Sequence, residues 1–342
     1  MPSTWPDVLS TLVARRDLSA DQTSWAMSMI LAGEATPAQI AGFAVALRAK
    51  GETVTEVTAL ANAMLAAGQS ISVEGRLLDV VGTGGDRSMS VNISTMAAIV
   101  AAGAGAQVVK HGSRSASSTS GSADVLEHLG IRLDLPVKRV AEVAMEAGIT
   151  FCFAAAFHPA MRYAAVPRRE MGIATSFNLL GPLTNPSRPD AQAIGCADLA
   201  AAPVMAGVFA ARGVDAWVFR GDDGLDELTT TTTSTLWRVH GGEVHRTAID
   251  PAGLGLAAAT MEDLRGGDAA HNADVVRRTM SGDLGPVRDA VVLNAAAALA
   301  VYDDPGGEPM AALAAGLAKA VDAIDSGAAH ATLERWITAS SK

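Results

Sequence analysis

The sequence predicts an α/β protein in two parts. A small all-helical N-terminal domain is expected over residues 1–72, and a larger α/β domain with a mostly parallel central sheet flanked by helices over residues 73–342. Two observations lead to this prediction. The N-terminal part contains only helix start and stop signals, and from Leu77 onward short apolar runs alternate with helical segments. A chain of 342 residues also exceeds what one hydrophobic core usually serves, which favours two domains.

Four short amphipathic helices are predicted in the N-terminal domain. Leu9, Leu12 and Val13 form the apolar stripe of the first helix. The other three have an N-cap residue and a glycine stop. They run from Ser19 or Asp21 to Gly33, from Thr36-Pro37 to Gly51, and from Thr53, where Glu56 completes a capping box, to Gly68.

Buried parallel strands are indicated in the second domain by short, continuously apolar runs. Leu77–Val81 is the first, and a glycine turn follows it at once. Further strands are expected at Gln107–Val109, Ile149–Phe153, Gln192–Cys196 and Asp215–Phe219, helices at Val137–Ala147 and Leu199–Arg212, a hairpin from Leu236–His240 and Glu243–Thr247, and C-terminal helices near 268–281, 286–302, 308–324 and from about 327.

Composition and charge argue against several classes of function. The chain has 26 Lys and Arg against 36 Asp and Glu, a net charge of −10, so no nucleic-acid partner is expected, because phosphates require a basic face. Cys152 and Cys196 allow at most one disulfide, and the N-terminus lacks a signal-peptide pattern, which together predict a cytoplasmic protein. The apolar stretch Met96–Val109 is too short to span a bilayer, so no membrane partner is expected.

A glycine-rich turn follows the first strand. The segment Gly82–Asp86 leads through Ser90 to Asn92–Thr95 at the start of a helix. Glycines let the backbone approach a ligand closely, and amides and hydroxyls at a helix start can hold an anion. The spacing matches neither the dinucleotide fingerprint nor a Walker loop, and this feature alone is equally compatible with a tight structural connection.

A second loop, Lys110–Asp124, follows the strand that ends at Val109. It contains Lys110, Arg114 and six serines, which predicts a basic pocket rich in hydroxyls, although a serine-rich run is often only a flexible linker. Its position before the helix Ala123–Leu129 favours a ligand site, because open α/β sheets bind ligands at the carboxyl ends of their strands. Two such loops on neighbouring strands indicate a polyphosphate or a sugar phosphate.

Two further segments carry charged side chains. The acidic loop Asp222–Glu227 follows a strand, and its carboxylates can hold Mg²⁺, although acidic turns are most often only solvated. Beside a phosphorylated substrate, Mg²⁺ would neutralise a diphosphate leaving group. Arg168 and Arg169 can bind a carboxylate in a bidentate manner, or can simply form an exposed basic helix face.

Taken together, these segments resemble the anthranilate phosphoribosyltransferase family, actinobacterial members above all, across nearly the whole chain. The matching motifs are Gly82–Asp86, Asn92–Thr95, Lys110–Gly112, Ser120–Asp124, Phe177–Pro186 and Gly224–Leu228. The resemblance implies transfer of the phosphoribosyl group from phosphoribosyl diphosphate to anthranilate, giving N-(5-phosphoribosyl)-anthranilate and diphosphate in tryptophan biosynthesis. It also implies Mg²⁺, a helical excursion near 159–180 that packs on the helical domain, and a homodimer formed through that domain.

The resemblance also implies roles for individual residues. Phosphoribosyl diphosphate would be bound by Gly82, Gly85, Asp86, Ser90, Asn92, Ser94, Thr95, Lys110, Ser117, Ser118 and Ser122. Anthranilate would be bound by Gly82, His111, Ser113, His158 and Arg168, and Mg²⁺ by Ser94, Asp226 and Glu227. The catalytic residues would be Lys110, which stabilises the departing diphosphate directly, and Asp226 and Glu227, which do so through Mg²⁺. No general base is named, because a neutral aryl amine needs no proton removed before it attacks.

The chain departs from the family pattern at three places. Ser113 stands where the family has Asn, Arg87–Ser90 stands where it has Gly first and Thr last, and Pro167 is expected to restrict the backbone of Val166. The first two leave open a phosphoribosyltransferase that acts on a different aromatic amine. A nucleoside phosphorylase is a further alternative, and the missing Lys-x-Ser-Gly-Arg block argues against it. A non-catalytic relative that binds nucleic acid is another, and the net charge of −10 argues against it.

Overall fold

The computed structural model of the chain describes residues 3–114 and 120–342. Its N-terminal part is helical as predicted, with α1 (Trp5–Val13), α2 (Ala20–Ala32), α3 (Pro37–Lys50) and α4 (Val54–Ala67). Ser19, Thr36 and Thr53 each form a capping box with the residue three positions on, which satisfies amides that the first helical turn leaves free. These local signals explain why the helix starts were predicted correctly.

The α/β part contains a single sheet of seven strands among the described residues, in the order β3-β2-β1-β4-β5-β6-β7. The strands are β1 (Leu77–Gly82), β2 (Gln107–Gly112), β3 (Ile149–Phe153), β4 (Ala191–Gly195), β5 (Asp215–Gly221), β6 (Ser234–His240) and β7 (Glu243–Ile249). Strands β1 to β5 are parallel, and the hairpin of β6 and β7 adds an antiparallel edge. The predicted fold class is therefore confirmed. The strand order reverses between β1 and β4, and open α/β sheets bind their ligands at such a point.

The remaining helices flank the sheet. They are α5 (Ile93–Gly103), α6 (Ser122–Leu129), α7 (Val137–Ala147), α8 (Ala154–Phe157), α9 (Arg162–Met171), α10 (Leu180–Leu183), α11 (Ala201–Arg212), α12 (Ala269–Met280), α13 (Pro286–Asp303), α14 (Pro309–Asp325) and α15 (Ala328–Ser340), with short 3₁₀ helices at Pro159–Met161, Ser176–Leu179 and Pro251–Leu254. No helix in the described part of the chain is both long enough and apolar enough to cross a lipid bilayer.

Each face of the sheet has its own hydrophobic core. Helices α5, α13, α14 and α15 pack on one face, where Trp217 and Phe219 of β5 point. The alternate residues of β5, Ala216 and Val218, point to the other face, where α11 and the N-terminal helices lie. The core of the helical part is thus continuous with one face of the sheet.

A short helical excursion connects the two parts. Helix α9 packs against α2 and α3 of the helical part. Helix α9 continues through Val166 and Pro167, so the restriction that Pro167 places on Val166 does not end the helix. The proline removes one amide from the helix interior, and packing of the buried Pro167 and Ala164 holds the helix together despite that loss.

Ion pairs also join the parts of the chain. Arg48 of α3 pairs with Asp198, which follows β4, and with Glu52 at 3.3 Å. Glu52 in turn accepts a hydrogen bond from the hydroxyl of Ser176 in the excursion, at 2.7 Å. Ala197, the residue before Asp198, donates its amide to the hydroxyl of Thr83 in the glycine-rich turn. The ion pair between Arg48 and Asp198 therefore links the helical part to the loop after β1.

Candidate active site

The glycine-rich turn after β1 lies at the point where the strand order reverses. Gly82 of β1 and Gly195 of β4 are paired across the two strands. A Cβ atom on Gly82 would lie 2.2 Å from Oδ2 of Asp226, and one on Gly195 would lie 1.6 Å from the carbonyl oxygen of Asp226. Glycine is therefore required at both positions, because Asp226 occupies the space that a side chain would need.

Asp226 and Glu227, called the acidic pair below, each accept a backbone hydrogen bond from a different loop. Oδ2 of Asp226 accepts from the amide of Gly84 at 2.7 Å. Oε1 of Glu227 accepts from the amide of Ser94 at 3.0 Å. Ser94 lies in the first turn of α5, where free amides and the helix dipole favour a negative charge. The acidic pair therefore bridges the glycine-rich turn and the start of α5.

Lys110 brings a positive charge to the same place. Its ammonium donates to the carbonyl oxygen of Val80 and to the hydroxyl of Ser94, the latter at 3.3 Å. Burial lowers the pKa of Lys110, while Asp79 and the acidic pair oppose that shift. The structure thus brings together four residues that were predicted to act jointly: Ser94, Lys110, Asp226 and Glu227.

The carboxylates of this cluster repel one another. Burial, Asp86 and Glu227 hold the pKa of Asp226 well above its usual range. Burial also raises the pKa of Glu227 to about 8, against the effect of Lys110. Oδ2 of Asp86 is buried and has no hydrogen-bond partner among the described residues. Such a cluster of like charges favours the binding of a cation.

Lys110 and His111 were predicted to lie in a loop, and this is wrong. Strand β2 continues to Gly112, because Lys110, His111 and Gly112 pair with Phe151–Phe153 of β3. Since consecutive strand residues point to opposite faces of a sheet, the two side chains separate. Lys110 reaches Ser94, whereas Nδ1 of His111 hydrogen-bonds the carbonyl oxygen of Gly181 at 2.8 Å.

His111 and His158 lie together on the second face. Their ring centroids are 5.3 Å apart, and Nε2 of His158 is 2.8 Å from the carbonyl oxygen of Thr184. Burial, with His158 and Lys110 nearby, lowers the pKa of His111 to about 3, so this ring is neutral at physiological pH. Because Nδ1 donates to Gly181, Nε2 is the acceptor nitrogen, and it has no partner among the described residues.

The role of Asp79 was not predicted from the sequence. This fully buried residue of β1 accepts from the amide of His111 at 3.1 Å and from Nδ2 of Asn185 at 2.8 Å. Burial raises its pKa to about 6, although Lys110 acts in the opposite direction. One signal for it was present: a carboxylate inside an otherwise apolar strand must be paired or hydrogen-bonded.

Arg168 stands apart from this cluster. Its guanidinium lies 5.7 Å from the ring centroid of Phe177, and it has no ion pair among the residues that the structure describes. Burial lowers its pKa. A half-buried arginine without a carboxylate partner remains available to bind an anionic ligand.

The other predicted phosphate-binding residues are spread over three segments. Gly85 is exposed in the turn after β1, the hydroxyl of Ser90 lies 3.1 Å from that of Ser88, and Ser122 begins α6. Asn92 precedes α5, and its Oδ1 accepts from Asn272 at 2.9 Å. Thr95 is fully buried, and its hydroxyl has no partner within the described ranges. Ser117 and Ser118 lie outside the described residues.

The departures from the family pattern have structural counterparts. Arg87 and Met89 have φ values of 60° and 56°, a left-handed backbone that costs residues other than glycine about 1 kcal/mol each. Glycine at position 87 would remove that strain. Ser113 is exposed, and its hydroxyl donates to the carbonyl oxygen of Arg114 at 3.0 Å.

Asp222 and Asp223, which share the acidic loop, have other partners. Asp223 accepts from the hydroxyls of Thr229 and Thr231, and Asp222 from those of Thr233 and Thr235. These threonine hydroxyls therefore hold the start of the acidic loop in place. Among the described residues, no group of three or more His, Cys, Asp or Glu is arranged to hold a metal ion. Any metal on the acidic pair would need oxygen ligands from a substrate.

A mostly parallel sheet with a glycine-rich turn at its reversal point, joined to a helical bundle, is the architecture of a family of glycosyl transferases. The model of the glycosyl transferase family's helical bundle domain matches residues 6–68, and that of its a/b domain matches residues 74–330. The chain is 73% identical to an anthranilate phosphoribosyltransferase from a Nocardioides species over 340 residues, which covers 99% of this chain and 100% of the relative. The chain belongs to the anthranilate phosphoribosyltransferase family, as its motifs predicted.

Two solved structures have the same fold. Anthranilate phosphoribosyltransferase from Thermus thermophilus is 40% identical, has a TM-score of 0.91, and is matched over 98% of this chain and 100% of its own. The enzyme from Saccharomyces cerevisiae in complex with PRPP and Mg is 26% identical, with a TM-score of 0.89 and 98% of both chains covered.

Proposed function

We propose that this chain transfers the phosphoribosyl group of phosphoribosyl diphosphate to the amine of anthranilate, with Mg²⁺, in tryptophan biosynthesis. The observation that carries the proposal is the acidic pair, which joins the glycine-rich turn to the start of α5 and lies beside the buried Lys110. The family of the chain and the ligands of the yeast relative support the same reaction.

The residues at the acidic pair fit a magnesium ion. Its ligands would be Ser94, Asp226 and Glu227, because carboxylate and hydroxyl oxygens are what Mg²⁺ prefers. The buried, unpartnered Oδ2 of Asp86 and the raised pKa values of the acidic pair indicate that positive charge is needed here. When bound, Mg²⁺ would offset the charge of the diphosphate.

The diphosphate and ribose would be held by the chain's own amides and hydroxyls. The residues assigned to this substrate are Gly82, Gly85, Asp86, Ser90, Asn92, Ser94, Thr95, Lys110, Ser117, Ser118 and Ser122. The positive end of the α5 dipole lies at this site, and Lys110 holds a positive charge where the leaving group would accumulate negative charge. In the dissociative displacement that we propose, these groups stabilise the departing diphosphate and orient the anomeric carbon.

Anthranilate would approach from the side of His111. The neutral imidazole has a free acceptor at Nε2, which can receive an N–H of the amine without removing a proton. A ring with a pKa of about 3 is too weak a base for deprotonation at neutral pH, which agrees with a mechanism that uses no general base. The rest of the anthranilate site would be formed by Gly82, Ser113, His158 and Arg168.

The test is an assay of diphosphate release by the purified chain, with phosphoribosyl diphosphate, Mg²⁺ and a panel of aryl amines. We expect anthranilate to turn over best, aniline to turn over poorly because it lacks the carboxylate, and a chelator to stop the reaction. Ser113, which lacks the amide of the family's Asn, favours one second candidate, a transferase for another aromatic amine. Faster turnover of such an amine would replace the proposed acceptor.

Arg168→Ala is expected to raise the KM for anthranilate by about tenfold to a hundredfold, because a charge-assisted hydrogen bond contributes about 1.5–3 kcal/mol. The KM for phosphoribosyl diphosphate should change little. Arg169→Ala is the matched control, since this neighbouring arginine is exposed. Steady-state kinetics with each substrate varied decides the matter, and equal effects on both KM values would mean that another arginine binds the carboxylate.

We also propose that the protein is a cytoplasmic homodimer that forms through the helical domain, residues 1–72. The excursion at 159–180 packs on this domain, and residues 73–342 form the catalytic domain. Exposed apolar side chains on the helical domain support this contact, since Val13 is 75% and Val45 is 42% exposed.

A further inference from the structure

Helix α13 contains a buried polar residue that the mechanism does not use. From Ala290 to Val301 every residue of the helix is buried, and Asn294 is the one polar side chain in that stretch. Only 1% of Asn294 is exposed. A leucine at this position would cost no desolvation of polar atoms, so the amide requires an explanation.

The amide of Asn294 binds the residue that follows the acidic pair. Its Oδ1 accepts from the amide of Leu228 at 2.9 Å, and its Nδ2 donates to the carbonyl oxygen of Leu228 at 2.8 Å. Nδ2 also donates to the carbonyl oxygen of Ala290 at 2.9 Å. Leu228 lies in neither a helix nor a strand, so Asn294 satisfies both of its backbone groups.

The other end of the loop is held independently. Oδ1 of Asp223 accepts from the amide of Leu225 at 3.0 Å, and the carbonyl oxygen of Leu225 accepts from the amide of Gly221 at 2.9 Å. The acidic pair is therefore the short segment between two anchors. Its own polar contacts are with the amides of Gly84 and Ser94.

We propose that Asn294 is a positioning residue for the acidic pair, and that by holding Leu228 it directs both carboxylates toward a metal–diphosphate ligand. This inference rests on the proposed function, since it assigns a metal to the acidic pair. Asn294 does not touch the reacting atoms. It acts as outer partners of metal ligands do, by fixing the orientation of the residues that bind.

The test compares Asn294→Leu, which keeps the size and loses all three hydrogen bonds, with Leu293→Ala, a control that removes buried packing on the same helix and leaves those three hydrogen bonds in place. Mn²⁺ binding in the presence of inorganic diphosphate is measured from the signal of the free ion. We expect Asn294→Leu to weaken Mn²⁺ binding about tenfold to a hundredfold, and Leu293→Ala to leave it within about threefold of the wild type even if it lowers the Tm as much.

Hydrogen exchange supplies a second readout that does not depend on the reaction. Amides in residues 222–231 should exchange faster in Asn294→Leu than in Leu293→Ala. If Asn294→Leu does not fold, Asn294→Thr replaces it, because a threonine hydroxyl can bond the carbonyl oxygen of Ala290 and cannot restore both bonds to Leu228. Wild-type exchange and wild-type Mn²⁺ binding in these variants would overturn the proposal.

Failure of the proposed function gives a different pattern. A wild-type chain that binds no Mn²⁺ with diphosphate would overturn both the metal assignment and the role of Asn294. A chain that binds Mn²⁺, loses it in Asn294→Leu, and turns over no anthranilate would overturn the proposed acceptor alone and leave the role of Asn294 supported.

Discussion

The double variant Asp226→Asn/Glu227→Gln is expected to lose Mg²⁺-dependent release of diphosphate, with kcat/KM reduced by at least about 10³-fold. The amides that replace the carboxylates can still accept from Gly84 and Ser94, so the loop keeps its geometry. They no longer offer charge to a cation, and electrostatic stabilisation of the leaving group usually contributes more than any other effect to the rate of such a reaction.

The fold of this variant should be about as stable as that of the wild type, because relief of repulsion between the carboxylates offsets the loss of charges that favour the buried Lys110 ammonium. Burial and mutual repulsion raise the pKa values of both carboxylates, so neutral replacements relieve an unfavourable interaction. Asp222→Asn is the control, because it removes one charge from the exposed start of the same loop, and it should retain near wild-type turnover. Unchanged diphosphate release in the double variant, measured beside thermal unfolding, would contradict the assignment of the metal.

The parts of the fold that could be predicted are those with local causes. Capping residues at Ser19, Thr36 and Thr53 lie next to the amides they satisfy, so the sequence alone places the helix starts. Gly82, the last residue of β1, was predicted as part of a ligand-binding turn. The structure adds a second reason for it, because Gly82 must make room for Asp226, which lies far along the chain.

The parts that could not be predicted depend on contacts between distant segments. The hydrogen bonds of Asn294 to Leu228 and of Asp79 to Asn185 join residues that no spacing rule relates. The length of β2 was underestimated for a similar reason. The polar side chains of Lys110 and His111 are typical of a loop. Their pairing with β3 is what extends the strand through them. The individual roles of the site residues remain predictions.

Lys110→Met is expected to abolish activity and to lower the free energy of unfolding by about 3 kcal/mol at pH 7. Methionine fills similar space without a charge, so Asp79 and Glu227 lose the cation that offsets their burial. Glu56→Gln in the helical domain serves as a control for general loss of stability, because this buried carboxylate bonds Lys50 and the amide of Leu18, and its replacement should leave substrate affinity unchanged.

The loss of stability should depend on pH in a defined direction. A carboxyl whose pKa is higher in the folded than in the unfolded state destabilises the fold above its folded pKa and does not do so below its unfolded pKa. Asp79 already has a folded pKa of about 6, and removal of Lys110 raises it further. Relative to the wild type, Lys110→Met should therefore regain stability as the pH falls from about 7 to about 5, which denaturant unfolding at each pH measures.

A second substitution separates the structural role of Lys110 from its role with the diphosphate. Lys110→Met/Asp79→Asn removes a carboxylate together with the cation that offset it, and removal of both partners costs far less than removal of one. The double variant should recover part of the unfolding free energy while its activity stays lost, because no cation remains beside the leaving group. Recovery of both would mean that Lys110 only balances Asp79, and recovery of neither would mean that the ammonium is needed for its hydrogen bonds to Val80 and Ser94.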